Sequence, residues 1–251
     1  MGSFIHVLAL RWSEGLLAQT GVSWRQALWG RSQCAQCGHV LKPWHLIPLL
    51  SFVMLRGRCA FCGAPIAWRE GLVEWVLAAA WLALWWRLGP EPSTALWLAW
   101  ASVLLLLALI DLDTFLLPDG LTLGLMALGL LVSALGAIAV SPLQSLAGAV
   151  LGYGLLASVA WVYRHWRGRE GLGLGDAKLL AAMGAWLGPW ILPMLLWMAA
   201  LMGLMWGLIW RWRGHAREDG AFPFGPSLAL AGLLTALWPN AWEMMAAWLL
   251  V

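Results

Sequence analysis

Two groups of residues have types and spacings that could do chemistry. The first is a cysteine quartet: Cys34-Ala-Gln-Cys37 and Cys59-Ala-Phe-Cys62 are two C-x-x-C pairs separated by 21 residues. Each pair can present two thiolates to one ion, and two such hairpins complete a tetrahedral four-cysteine site, usually for zinc. Gly38 and Gly63 follow the second cysteine of each pair, where a tight turn helps aim main-chain amides at the sulfurs. The same spacing admits two disulfides or four unlinked thiols, but a cytoplasmic position, argued below, disfavours disulfides. Four thiolates leave no open coordination position for water, so the expected metal is structural. A domain too small to bury much core would depend on it to fold.

The second group is acidic. Asp111, Asp113 and Asp119 lie at the end of one apolar run, Asp176 closes Gly171-Leu-Gly-Leu-Gly-Asp176, and Glu74 sits just inside another apolar run. Ionisable groups at membrane depth are costly, which makes them functional candidates by default. Asp119, after Pro118 and before Gly120, reads as a turn residue and helix N-cap. Asp113 reads as solvated loop. An N-cap role would account for Asp176 but not for the three glycines at alternate positions before it, which suit close approach of an extended peptide. Asp111 extends a continuous apolar run with no turn residue beside it. If Asp111 and Asp176 face each other, the two carboxylates share a proton. One then serves as general base on a water while the other polarises a peptide carbonyl, which is aspartic-protease chemistry. The five histidines show no ligand spacing, and no serine–histidine or cysteine–histidine arrangement competes.

The elements that must position these residues follow from composition. Of 251 residues, 62% are apolar and 11% charged, against roughly 45–50% and about 25% in a soluble domain. Thr94–Ile110, Leu121–Val140, Gln144–Tyr163 and Trp190–Trp210 contain no Asp, Glu, Lys or Arg, and apolar runs of about 17–25 residues cross a bilayer as helices. The chain is therefore expected to be an all-α polytopic membrane protein of about seven to eight helices with a small cytoplasmic four-cysteine zinc-binding domain. Spans are expected near 72–88, 94–110, 121–140, 144–163, 177–188, 190–210 and 226–238. Residues 1–71 form the zinc-binding part with a short first helix, and residues 72–251 form the membrane domain. The start, 1–10, and the end, 240–251, are each too short to span, and no basic segment marks a cleavable signal peptide.

Residues 11–71 hold seven of the 15 basic residues. With that block in the cytoplasm, alternating loops bring 14 of the 15 to the inside, leaving Arg87 to snorkel from a helix end. The same topology puts the loops 111–120 and 164–176 on the cytoplasmic side. A net charge of +3 gives no basis for nucleic-acid binding. Several of the 22 tryptophans fall near span ends (Trp85, Trp86, Trp190, Trp210, Trp212), where interfacial belts are expected; others fall mid-span.

Taken together, these residues resemble the type IV prepilin peptidases, which act as leader peptidases and N-methyltransferases. Gly2-Ser-Phe-Ile-His-Val-Leu-Ala-Leu-Arg11 resembles the family's opening motif. The cysteine pairs, Leu55-Arg-Gly-Arg-Cys59 and Arg69…Leu72-Val-Glu74 resemble its cytoplasmic domain. Ile110-Asp-Leu-Asp-Thr-Phe-Leu-Leu-Pro-Asp119 and Gly173-Leu-Gly-Asp-Ala-Lys-Leu-Leu180 resemble the segments bearing its two catalytic aspartates, and Phe224-Gly-Pro226 fits its late loop. The resemblance implies that Asp111 and Asp176 are the catalytic pair. It implies cleavage of a prepilin or pseudopilin leader after a glycine at the cytoplasmic face of the bacterial inner membrane. Methylation of the new N-terminus from S-adenosylmethionine would follow. The implied partners are those substrates, membrane lipid and the pilus or type II secretion machinery.

The chain departs from the family pattern at His6, Leu46, Glu70 and Gly71, all in the part tied to methyl transfer, so peptidase activity is the expectation the residues carry furthest. Two other classes compete. A transporter would use Asp111, Asp176 and Glu74 as proton or cation sites near the midplane, often with inverted repeats. A non-catalytic assembly factor would use the zinc domain to recruit a partner.

Overall fold

A computed structural model describes residues 2–17, 36–40, 54–55, 57–65, 68–168, 171, 173–212 and 222–238. Among these residues the regular structure is eight α-helices: α1 (Gly2–Leu17), α2 (Trp68–Leu88), α3 (Pro92–Thr114), α4 (Asp119–Ala134), α5 (Pro142–Arg167), α6 (Leu174–Leu187), α7 (Leu192–Trp212) and α8 (Gly225–Leu237). The chain divides into two compact units, Met1–Pro90 and Glu91–Val251.

In the first unit α1 packs on α2. The opening helix runs through Arg11 and Glu14 to Leu17, further than its apolar start suggests. It buries Ile5, Leu8, Ala9 and Trp12, an i, i+3, i+4, i+7 stripe. Helix α2 contributes Val73, Leu77 and Leu84 to the core and also buries Glu74.

The second unit is built from α3 to α8. Among the described residues four helices are long and apolar enough to cross a membrane, Gly71–Leu88 in the first unit and Pro92–Thr114, Pro142–Arg167 and Leu192–Ile209 in the second. Of the segments expected at 121–140, 177–188 and 226–238, the first forms a shorter helix and the other two form helices of about the expected length, with ends set by local turns. Helix α4 stops at Ala134 because Leu135 and Gly136 turn the chain, Gly136 at φ 69°. Helix α6 begins at the glycine-rich segment and ends at Gly188, whose φ of 81° favours glycine. Helix α5 has the fullest caps: Ser141 and Gln144 form a capping box, and Gly168 closes the other end at φ 65°.

Helix α6 is the core element, enclosed by α4 and α5 and touched by α8. Glycines allow the closest approach. A side chain at Gly148 of α5 would run into the carbonyl of Gly184 in α6, and one at Gly184 into the carbonyl of Gly148. One turn along, a Cβ at Gly152 would stand 2.7 Å from the Leu180 carbonyl oxygen. The backbones are in contact along this seam, which Ser145 ties with a 2.6 Å hydrogen bond from its hydroxyl to the Ala185 carbonyl.

Three tryptophans, Trp97, Trp100 and Trp186, help build this core. Trp100 and Trp186 are fully buried, and Trp97 meets each edge-on with ring centroids 5.4 and 5.5 Å away. The Trp186 ring seats over Gly129 and donates its N–H to the Leu125 carbonyl at 2.9 Å. Trp85, Trp86, Trp190 and Trp212, at helix ends, are exposed, as are Trp161, Trp197 and Trp206 within α5 and α7.

Candidate active site

Asp111, Asp119 and Asp176 gather at one end of the second unit, while Glu91 stands at the other end of α3. The sequence suggests a loop beginning at Asp111, but α3 continues to Thr114, so Asp111 lies within its last turn. Thr114 donates its hydroxyl to the Ile110 carbonyl at 2.8 Å and accepts the Leu116 N–H at 3.2 Å, which helps end the helix. Phe115 then takes a left-handed conformation at φ 59°, and its N–H reaches the Asp111 carbonyl at 2.9 Å. It is the non-glycine residue at positive φ among the described residues, and for so bulky a side chain that conformation is strained.

Helix α4 starts four residues later. Asp119 is its first residue rather than its N-cap, a position taken by Pro118. Its carboxylate instead pairs with Lys178 of α6 at 2.5 Å. Thr122 anchors the same turn with a hydroxyl hydrogen bond to the Pro118 carbonyl at 3.2 Å.

Asp176 stands in the first turn of α6, two residues past the helix start, with Gly173 as N-cap; Asp176 accordingly caps nothing. Asp111 and Asp176 are buried, at 5% and 8% exposure, and their carboxylates interact electrostatically. The helix dipoles act on them oppositely. The C-terminal end of α3 disfavours negative charge at Asp111, and the N-terminal end of α6 favours it at Asp176. Helix α8 offsets the first effect: the main-chain N–H of Gly225, its first residue, donates to Asp111 Oδ2 at 2.9 Å. Only a glycine fits there unaltered, since a Cβ would fall 2.7 Å from that same oxygen. The second oxygen of Asp111 remains for its neighbour carboxylate or for a reacting group.

The three alternate glycines have different roles. Gly171 lies against the Tyr163 ring of α5, and Gly175 receives Leu117, whose Cβ would stand 3.0 Å from an added methyl. A methyl at Gly173 would make ordinary contact with Asp176 Oδ2 at 3.7 Å and clash with no described residue. The Gly225 donor and the Asp119–Lys178 pair escaped sequence reasoning. A glycine before Pro226 at a helix start was the one signal for the former.

In the first unit the sulfurs of Cys37, Cys59 and Cys62 lie within 4.8 Å of one another. Cys59 is buried and the other two are exposed. Gly38 and Gly63 adopt φ of 67° and 69°, and Cys59 exchanges main-chain hydrogen bonds with Gly63 and Ala64 at 3.0 and 2.8 Å. Three convergent thiols at this spacing fit one tetrahedral ion with a place for a fourth ligand. Cys34 lies outside the described residues, as does Leu46.

The second unit is thus a helical membrane body with a buried, interacting carboxylate pair at its helix ends. Residues 98–208 match the type IV leader peptidase family, and residues 1–88 match the bacterial peptidase A24 N-terminal domain. The chain is 43% identical over 208 residues to the prepilin leader peptidase/N-methyltransferase of Burkholderia pseudomallei strain 1026b, covering 82% of this chain and 66% of that protein. It is 45% identical over 213 residues to the protein of that name from Aeromonas hydrophila, covering 84% and 72%. With the Pseudomonas aeruginosa protein of that name it shares 42% identity over 211 residues, covering 82% and 71%. No solved structure matches. The chain belongs to the type IV leader peptidase family and spans about two thirds of the length of the Burkholderia relative, 66%.

Proposed function

We propose that this chain cleaves the short basic leader of a type IV prepilin or pseudopilin after a glycine, at the cytoplasmic face of the inner membrane, with Asp111 and Asp176 as its aspartic dyad. The observation that carries the reading is the pair itself: two buried, interacting carboxylates, one gripped by the Gly225 amide, in a member of a leader peptidase family. One carboxylate, ionised, takes a proton from water as that water attacks the scissile carbonyl. The other, protonated, donates to the carbonyl oxygen and later helps protonate the leaving amine. The Gly225 donor holds Asp111 in one rotamer, so the remaining oxygen is aimed before substrate arrives.

In the first unit, Cys37, Cys59 and Cys62, with Cys34, hold a structural zinc ion. The cluster supports a fold-maintaining role, because four thiolates would leave no site for catalysis. The relatives' name carries N-methyltransferase, and on that support we assign methylation of the new N-terminus from S-adenosylmethionine as a second activity. Substrate, membrane lipid and the pilus or type II secretion machinery are the partners this reading implies.

The test is cleavage of a synthetic prepilin in lipid vesicles by the wild-type chain and by Asp111→Asn, Asp113→Asn and Asp176→Asn, each checked for helicity. Loss in the first and third variants, with Asp113→Asn active, is expected. Activity in all three would overturn the dyad. Loss in Asp113→Asn with Asp111→Asn active would move the first catalytic residue by two positions.

A further inference from the structure

Helices α3 and α6 meet directly at the end of α6 remote from Asp176, where Trp97 and Trp100 pack on Trp186. Helix α8 packs on both, α3 also touches α4, and α6 packs on α5 and α4. At the dyad end, two contacts connect the segment after Asp111 to the start of α6. Leu117 rests on the bare α-carbon of Gly175, and the Asp119 carboxylate grips the Lys178 ammonium across 59 residues of chain. These contacts flank Asp176 in sequence, at Gly175 and Lys178, and they follow Asp111 by six and eight residues.

We infer that Asp119 and Lys178 are a positioning pair: their ion pair clasps the 115–118 segment to the first turns of α6 and thereby sets the distance between Asp111 and Asp176. The inference rests on the aspartic-dyad reading and adds two residues to it. Neither touches the reacting atoms in this role. Exposure argues for geometry over stability. Asp119 is 62% exposed and Lys178 26%, and such pairs contribute little to folding free energy. What the pair controls is a strained segment. Phe115 holds a left-handed conformation that its own side chain disfavours, so a segment released from α6 has an incentive to relax. A shift of about 1 Å in a catalytic group costs on the order of 100-fold in rate, and a partial shift correspondingly less.

The test is a double-mutant cycle in lipid vesicles on a synthetic peptide of basic leader, glycine and apolar helix. Asp119→Ala and Lys178→Ala are each expected to lower kcat by about two- to fivefold with KM unchanged. The double variant should fall no further, because both changes open the same clasp. Lys178→Arg, which keeps the charge, should recover most of the rate. Hydrogen exchange on the same variants supplies a readout independent of cleavage. Peptides covering 112–122 should exchange about two- to fivefold faster, while those spanning Gly148 and Gly184 stay unchanged. Additive losses in the double variant, a rise in KM with kcat intact, or unaltered exchange at 112–122 would each overturn the clasp. A wild-type chain that fails to cleave would sink the peptidase reading, and exchange alone would then decide the inference.

Discussion

Replacing Gly225 with alanine separates catalysis from folding. A Cβ on Gly225 would lie 2.7 Å from Asp111 Oδ2, 3.0 Å from Cγ and 3.2 Å from Cβ. Restoring ordinary contact requires a retreat of roughly half an ångström or more. The N–H to Oδ2 distance would then grow from 2.9 Å to beyond about 3.2 Å, past the range of a good hydrogen bond. Oδ2 and Cγ can turn away about the side-chain torsions, and only the Cβ contact at 3.2 Å asks α3 and α8 to give by a few tenths of an ångström. The loss falls on the carboxylate: a hydrogen bond to a charged group contributes about 1.5–3 kcal/mol, or roughly 10- to 150-fold in rate. The expected outcome is a kcat on a synthetic prepilin reduced by that factor, with an unchanged unfolding temperature in detergent. Gly124→Ala and Gly154→Ala are the controls, since nothing lies within 4 Å of a methyl at either position, and both should cleave at the wild-type rate. A Gly225→Ala variant with wild-type kcat would refute the assignment of Gly225 as the donor that fixes Asp111. Loss of activity in step with unfolding would show the residue to be structural.

Three further outcomes follow from the packing and the cysteine cluster. Gly148→Ala forces α5 from α6, because the new methyl meets the Gly184 carbonyl; a stability loss of about 1–3 kcal/mol should appear as a lower unfolding temperature. Combined with Gly184→Ala, the loss should be less than additive, since both changes need the same separation. Ser145→Ala removes the 2.6 Å bond to the Ala185 carbonyl and should cost about 1 kcal/mol, read in the same assay. Cys59→Ser, which takes out the buried thiol of the cluster, should reduce bound zinc from about one per chain to near zero by elemental analysis. The α3–α8 body should keep its helicity; a variant that retained full zinc would remove Cys59 from the ligand set.

The helices were largely legible because apolar runs without charge announce themselves, as Thr94–Ile110 and Gln144–Tyr163 do inside α3 and α5. Their ends were less so. Helix α3 passes Asp111 because Thr114 and a left-handed Phe115 stop it, and nothing about a phenylalanine announces positive φ. The length of α4 was overestimated for a related reason, at 121–140 against Asp119–Ala134. A segment sheltered by neighbouring helices reads as apolar whether or not it is long enough to span. Asp111 and Asp176 stood out because each is an ionisable group that apolar surroundings do not explain. Gly225 and the Asp119–Lys178 pair did not. A main-chain donor leaves only the absence of a side chain as its signature, and an ion pair 59 residues apart depends on how α4 and α6 pack. The glycines before Asp176 carried a mixed signal, since Tyr163 and Leu117 occupy the space beside two of them.

Helix α6 has 14 residues, about 21 Å at 1.5 Å per residue, against a hydrocarbon layer of about 30 Å. Fourteen residues fall about 9 Å short of that layer. The shortfall is not exposed to lipid, because protein surrounds the helix: Asp176, Ala177 and Leu179–Trp186 are buried. A helix so enclosed need not match the thickness of the bilayer, which frees its first turn, and the carboxylate it carries, from the level of the bilayer surface.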